Sequence, residues 1–94
     1  MPGGSTATFL FSDIEGSTKL LHELGDAYAG ALHEHRRLLR EVFAAHEGVE
    51  VDTQGDAFFA VFRAAADAAA AALEARRELS DTSVRVRMGI HTGE

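Results

Sequence analysis

The chain has 94 residues and is 46% apolar, which allows one small domain and excludes a disordered chain. It has no cysteine, which excludes a disulfide framework and a thiolate metal site and suits a reducing compartment. Fifteen acids against nine Lys and Arg give a net charge of −6, a balance that opposes nucleic-acid binding through a basic patch and suits a protein that recruits divalent cations.

The opening residues "MPGGS" lack the basic and apolar regions of a signal peptide, and residues 1–5 are expected to be disordered. No apolar run approaches the roughly 20 residues of a membrane span. The expected location is cytoplasmic, with no membrane partner. Residues 6–12 read as a strand, and the continuous run Phe9, Leu10, Phe11 suits one covered on both faces. The strand ends in "SDIEGST": an acid, a glycine and two hydroxyls. Leu20, Leu21 and Leu24 then mark a short amphipathic helix, for which Ser17 is a candidate N-cap. Gly25 interrupts it, and Asp26 is the expected N-cap of a second helix carrying Tyr28, Leu32, Leu39, Val42 and Phe43. That helix is expected to stop near Gly48.

"VEVDT" alternates strictly, with Val49, Val51 and Thr53 on one face and Glu50 and Asp52 on the other. After a tight turn at Gln54 and Gly55, "DAFFAVF" completes a β-hairpin. "AAADAAAAALEARREL" is a helix by propensity, with Leu73 and Leu79 extending its apolar stripe. "VRVRMGIHT" alternates again, Val84, Val86, Met88 and Ile90 inward and Arg85, Arg87 and His91 outward. The order βααββαβ predicts an α+β, ferredoxin-like fold: a four-stranded antiparallel sheet with helices on one face. The open face is expected to carry Glu50, Asp52, Arg85, Arg87 and His91.

Asp13 ends the first strand and Asp56 sits in the hairpin turn. In a ferredoxin-like sheet those two places converge at one sheet end. Neighbouring carboxylates repel unless a proton or cation lies between them, and Mg²⁺ is typically held by one or two carboxylates with substrate phosphates and water. Gly16, Ser17 and Thr18 begin a helix, where unpaired N–H groups and the dipole favour an anion. Each feature alone has a plainer reading: a strand-end Asp caps or turns the chain, and Asp56 after Gly55 is ordinary hairpin chemistry. Their order along the chain is what joins them. His33, His35 and His46 lack the spacing of a zinc-protease helix and are expected on a solvated face. His91 is expected at a surface or interface.

The blocks "TFLFSDIEGSTKLL", "HEGVEVDTQGDAFFAVF" and "VRVRMGIHTGE" together resemble the class III nucleotide cyclase catalytic domain, the adenylate and guanylate cyclase family. The resemblance implies a partial cyclase domain over residues 1–94, matching the N-terminal half of the family's domain. It implies conversion of ATP or GTP to a 3′,5′-cyclic monophosphate and pyrophosphate at sites formed between two catalytic domains, in a homodimer or a heterodimer. By position, Asp13, Asp56 and the backbone of Ile14 look like ligands of two Mg²⁺ or Mn²⁺ ions, and Gly16, Ser17 and Thr18 would meet the triphosphate. Asp52 holds a base-selecting position and leans towards GTP, since an acid can accept from guanine N1 and N2. The family's ribose-binding Asn and charge-stabilising Arg have no counterpart here; Arg85 and Arg87 lie in a different block. The implied activity is therefore incomplete in this chain alone. A non-catalytic module that binds metal and nucleotide or pairs with another cyclase is the alternative, with a gene remnant beside it. Diguanylate cyclases share the fold, but carry Gly-Gly-Asp-Glu-Phe where this chain reads "QGDAF".

Overall fold

Alternation along the first strand decides which way the sheet faces. In this computed structural model, which describes residues 7–82 and 84–93, the strand runs Ala7–Ile14 (β1). Thr8, Leu10, Ser12 and Ile14 point to one side and are almost fully covered, while Phe9 and Phe11 point to the other and are 48% and 49% exposed. The run Phe9, Leu10, Phe11 is thus covered on one face only, against expectation. The expectations for residues 1–5, and for a strand start at Thr6, lie outside the described residues.

The remaining elements are α1 (Ser17–Leu24), a single 3₁₀ turn (Gly25–Ala27), α2 (Tyr28–Ala45), β2 (Val49–Gln54), β3 (Ala57–Phe62), α3 (Ala65–Leu79) and β4 (Val86–Gly93). The strands form one antiparallel sheet in the order β2-β3-β1-β4. This is the α+β, ferredoxin-like order read from the sequence, with β1 central. Helices α2 and α3 pack on the Leu10 side of the sheet. No helix among the described residues is long and apolar enough to cross a membrane.

The main core forms where Phe43 of α2 meets Phe58 and Phe62 of β3 edge-on, with ring centroids 5.6 and 5.8 Å apart. Edge-to-face contact suits the ring quadrupoles. Ala68, Ala71 and Ala75 of α3 are fully buried, and their small side chains let that helix lie close to the sheet. Leu79 is buried, but Leu73 projects into solvent; the helical turn separates them, so they do not share one stripe. On β4, Ile90 faces the helical side opposite Leu10, yet is 44% exposed because β4 is an outer strand.

Three local expectations are corrected. Neither Ser17 nor Asp26 is an N-cap. Gly16, at φ 66°, precedes α1, and the 3₁₀ turn runs straight into α2 with Ala27 already right-handed. A side-chain cap needs an extended residue at that point. In β2, a bulge between Glu50 and Asp52 breaks the alternation. Glu50 therefore lies on the helical side, paired with Arg40 at 2.8 Å, and only Asp52 reaches the open face. Third, the left-handed residue that ends α2 is Glu47, at φ 68°. Its N–H and that of Gly48 return to the Ala44 and Phe43 carbonyls at 3.1 and 2.8 Å, a Schellman closure. Gly48 is needed for space, since a Cβ there would lie 2.6 Å from the Phe62 ring.

His35 departs furthest from expectation. It is 3% exposed and has no hydrogen-bond partner on either ring nitrogen among the described residues. It lies on α2 between Leu39, in the main core, and Leu32, which packs on a smaller cluster of Ile14, Leu20 and Val84. His46 is not simply solvated either: its ring bonds Glu74 at 2.7 Å. Burial pushes the His35 pKa below its usual 6.5, with the Asp56 charge opposing that shift.

Two predictions follow from these positions. Glu47→Gly removes a left-handed strain and is expected to stabilise the fold by about 1 kcal/mol, read by thermal or urea unfolding. A depressed His35 pKa means that the unfolded chain binds the proton first. Stability is therefore full above pH 6.5 and is lost as pH falls from there towards the folded-state pKa. His35→Leu is expected to flatten that slope without loss of stability at neutral pH, read as melting temperature against pH.

Candidate functional site

The two aspartates singled out in the sequence lie at the same end of the sheet. β1 pairs with β3 up to Ser12 opposite Phe58, so the next residues of β1 run beside the β2–β3 turn. That turn has two central residues, Gly55 and Asp56, closed by Gln54 opposite Ala57. Gly55 takes φ 57°, a conformation that suits glycine. Arg36 of α2 donates to the Gly55 carbonyl and braces the turn from the helical side. Asp56 accepts from the Ile14 N–H at 2.9 Å through Oδ2, while its Oδ1 accepts nothing among the described residues.

Asp13 faces the open side, directly opposite Arg87 of β4. Arg87 donates through Nε and Nη2 to the two Asp13 oxygens at 2.8 and 2.9 Å. This planar fork holds the Asp13 carboxyl below the usual carboxylate range, against a smaller opposing effect of burial. The Arg87 pKa is raised, first by the Asp13 hydrogen bond and also by the fields of Glu15 and Asp56. Sequence reasoning placed Arg87 on the open face but did not join it to Asp13. The pairing depends on strand register across 74 positions, which no local motif announces.

Beyond Ile14, the Glu15 N–H donates to the Arg85 carbonyl at 2.7 Å and prolongs the strand pairing. Gly16 then turns the chain into α1. Its first turn contains Ser17, Thr18 and Lys19, no acid and no side-chain cap. The first N–H groups of α1 have no side-chain acceptor capping them among the described residues.

Asp52 lies elsewhere on the open face, opposite Phe59. With Phe9, Phe11, Val51 and Gln54 it lines a hollow of about 460 Å³. Its carboxylate accepts from the Thr53 N–H at 2.9 Å and from Gln54 Nε2 at 2.8 Å. Gln54 thus joins the lining as a polar group that the sequence reading passed over. Arg85 borders a separate hollow with Glu15 and Lys19, and His91 stands opposite Phe9 at the far end of the face.

The donors fit a hard divalent cation. They are all oxygen and two are carboxylates; Asp56 Oδ1 has no partner among the described residues, while both Asp13 oxygens are held by Arg87. Among the described residues no three His, Asp or Glu side chains are grouped so that they could hold a metal ion.

The sequence pattern of the adenylate and guanylate cyclase catalytic domain matches residues 2–94. An uncharacterized protein of Mycobacterium tuberculosis is 38% identical over 96 aligned residues, which cover all of this chain and 33% of that protein. An adenylate cyclase from Trypanosoma brucei, solved in its monomeric state, superposes with a TM-score of 0.89 at 24% identity, covering 95% of this chain and 57% of that one. The guanylate cyclase domain of RhGC from Catenaria anguillulae, solved in complex with GTP, gives 0.84 at 20% identity, with 95% and 57% covered. The chain thus spans about a third of the curated relative and little more than half of each solved domain. On the family match and the shared fold, the chain belongs to the adenylate and guanylate cyclase catalytic domain family.

Proposed function

We propose that this chain carries the metal-binding half of a nucleotide cyclase site and completes it against a second cyclase domain. The observation that carries the reading is the bond from the Ile14 N–H to Asp56, which sets Asp56 at the sheet end where Asp13 is the preceding residue of β1, beside the uncapped start of α1. Asp13, Asp56 and the Ile14 carbonyl would hold two Mg²⁺ or Mn²⁺ ions. The amides of Gly16, Ser17 and Thr18 would meet the triphosphate, favoured by the helix dipole. Bound divalent ions would supply charge neutralisation and lower the pKa of the attacking hydroxyl.

The reaction is an in-line displacement. The ribose 3′-oxygen forms a bond to the α-phosphorus. The bond from that phosphorus to its bridging oxygen breaks, pyrophosphate leaves with the electron pair, and the hydroxyl proton passes to solvent. Asp52 and Gln54 line the hollow in which the purine would lie against the Phe9, Phe11 and Phe59 rings. An acid at Asp52 accepts from guanine N1 and N2, so the preference leans to GTP over ATP.

The open face supports the need for a partner. Phe9, Phe11, Phe59, Val49 and Val51 are all exposed, and contiguous apolar surface of that kind marks an interaction site. A second cyclase domain, identical or not, would cover it and bring the groups that stabilise charge on the transferring phosphate. Without them the rate falls by several powers of ten, so the isolated chain is expected to bind nucleotide without measurable turnover. The same exposed face also supports a second reading, a non-catalytic module that binds or pairs.

Calorimetric titration of ATP and GTP with Mn²⁺ tests the proposal. Wild type is expected to bind in a metal-dependent way, and Asp13→Ala and Asp56→Ala each to weaken binding at least about tenfold, as the loss of a charged ligand does. No binding by the folded wild-type chain would overturn the half-site and leave the pairing module.

A further inference from the structure

We infer that Arg87 and a divalent cation compete for Asp13, so that Arg87 must leave the carboxylate for the metal to enter. The inference rests on the metal reading proposed above and adds a control to it.

The geometry carries the argument. Arg87 engages both Asp13 oxygens, at 2.8 and 2.9 Å. A cation on either oxygen would sit within two short bonds of a guanidinium that stays charged at any ordinary pH. The two positive groups would repel across a short distance. Retreat of Arg87 is easy, because its side chain is 62% exposed and donates no other side-chain hydrogen bond among the described residues. Exposed ion pairs of this kind contribute little to stability. The contact therefore acts as a reversible latch.

The latch has an electrostatic use. Arg87 is paired with Asp13 and lies in the field of Glu15 and Asp56, so one guanidinium offsets part of the acidic charge at this end of the sheet. It also sets a threshold. A monovalent ion brings no more charge than the group it displaces, whereas a divalent ion brings twice as much. Arg87 thus biases the site against Na⁺ and K⁺ as well as slowing adventitious occupation.

The test is titration of the whole chain with Mn²⁺ alone, read by the loss of the free-ion paramagnetic resonance signal, with folding followed by circular dichroism. Arg87→Ala is expected to bind Mn²⁺ about three- to tenfold more tightly than wild type, from the lost ion pair and the relieved repulsion. Arg87→Lys keeps the charge and loses the fork, so its affinity is expected to lie between the two. Equal or weaker binding by a folded Arg87→Ala chain would overturn the inference; if that variant does not fold, Arg87→Gln takes its place with the same expected tightening. Binding by neither wild type nor the folded variant would overturn the metal reading beneath it. Binding by wild type with no gain in the variant overturns the latch alone.

Discussion

The hydrogen bond from the Ile14 N–H to Asp56 joins two parts of the chain that have no other reason to meet so closely. One is the last residue of a central strand, and the other is the tip of a hairpin. The bond satisfies a backbone donor at the point where β1 outruns β3, and it turns the Asp56 carboxylate towards the end of the sheet. Asp13, one residue earlier, faces the open side by simple alternation. The pair is therefore positioned mostly by backbone: register on one side, a tight turn with Gly55 on the other. A site built this way does not depend on long side chains finding their place.

Two polar interactions frame the same sheet end from opposite sides. Arg36 holds the turn from the helical layer, and Arg87 holds Asp13 from the open face. The buried layer beneath is less settled. The main core ends at Leu10 and Leu39, a second small cluster begins at Ile14 and Leu20, and the Ser12 hydroxyl and His35 lie near that junction without partners among the described residues. An unsatisfied buried polar group weakens a fold. The carboxylates thus stand near the buried polar groups that lack partners among the described residues, while the aromatic cluster of Phe43, Phe58 and Phe62 anchors the main core.

Much of this was legible in the sequence, and the parts that were not have specific reasons. Asp13 and Asp56 could be joined because the order of elements selects one sheet topology, and that topology brings the end of β1 to the hairpin. The open face was misjudged because "FLF" reads as a continuous apolar run, and only its covering layers distinguish a one-sided from a two-sided strand. Glu50 was misplaced because "VEVDT" alternates without a flaw. A bulge leaves no mark in such a pattern; it arises from how β2 must twist against β3. His35 was missed because its neighbours Glu34, Arg36 and Arg37 are charged, and the helical phase that buries it is set by Leu39 and Val42. Arg87 gave no local signal, since its partner is chosen by strand register alone. Local chemistry is thus readable one residue at a time, whereas pairing across the sheet is a property of the assembled fold.

The central claim is that a divalent cation binds where β1 ends and the β2–β3 turn begins. Adding substoichiometric Mn²⁺ to the isotope-labelled chain, and following which backbone amide resonances broaden, locates such an ion without any mutation. The account expects the amides around Asp13, Ile14 and Asp56 to vanish first, with those at the start of α1 close behind. Selective broadening instead around the exposed acids of α2, Glu34 and Glu41, would contradict it, as would no localised broadening at all.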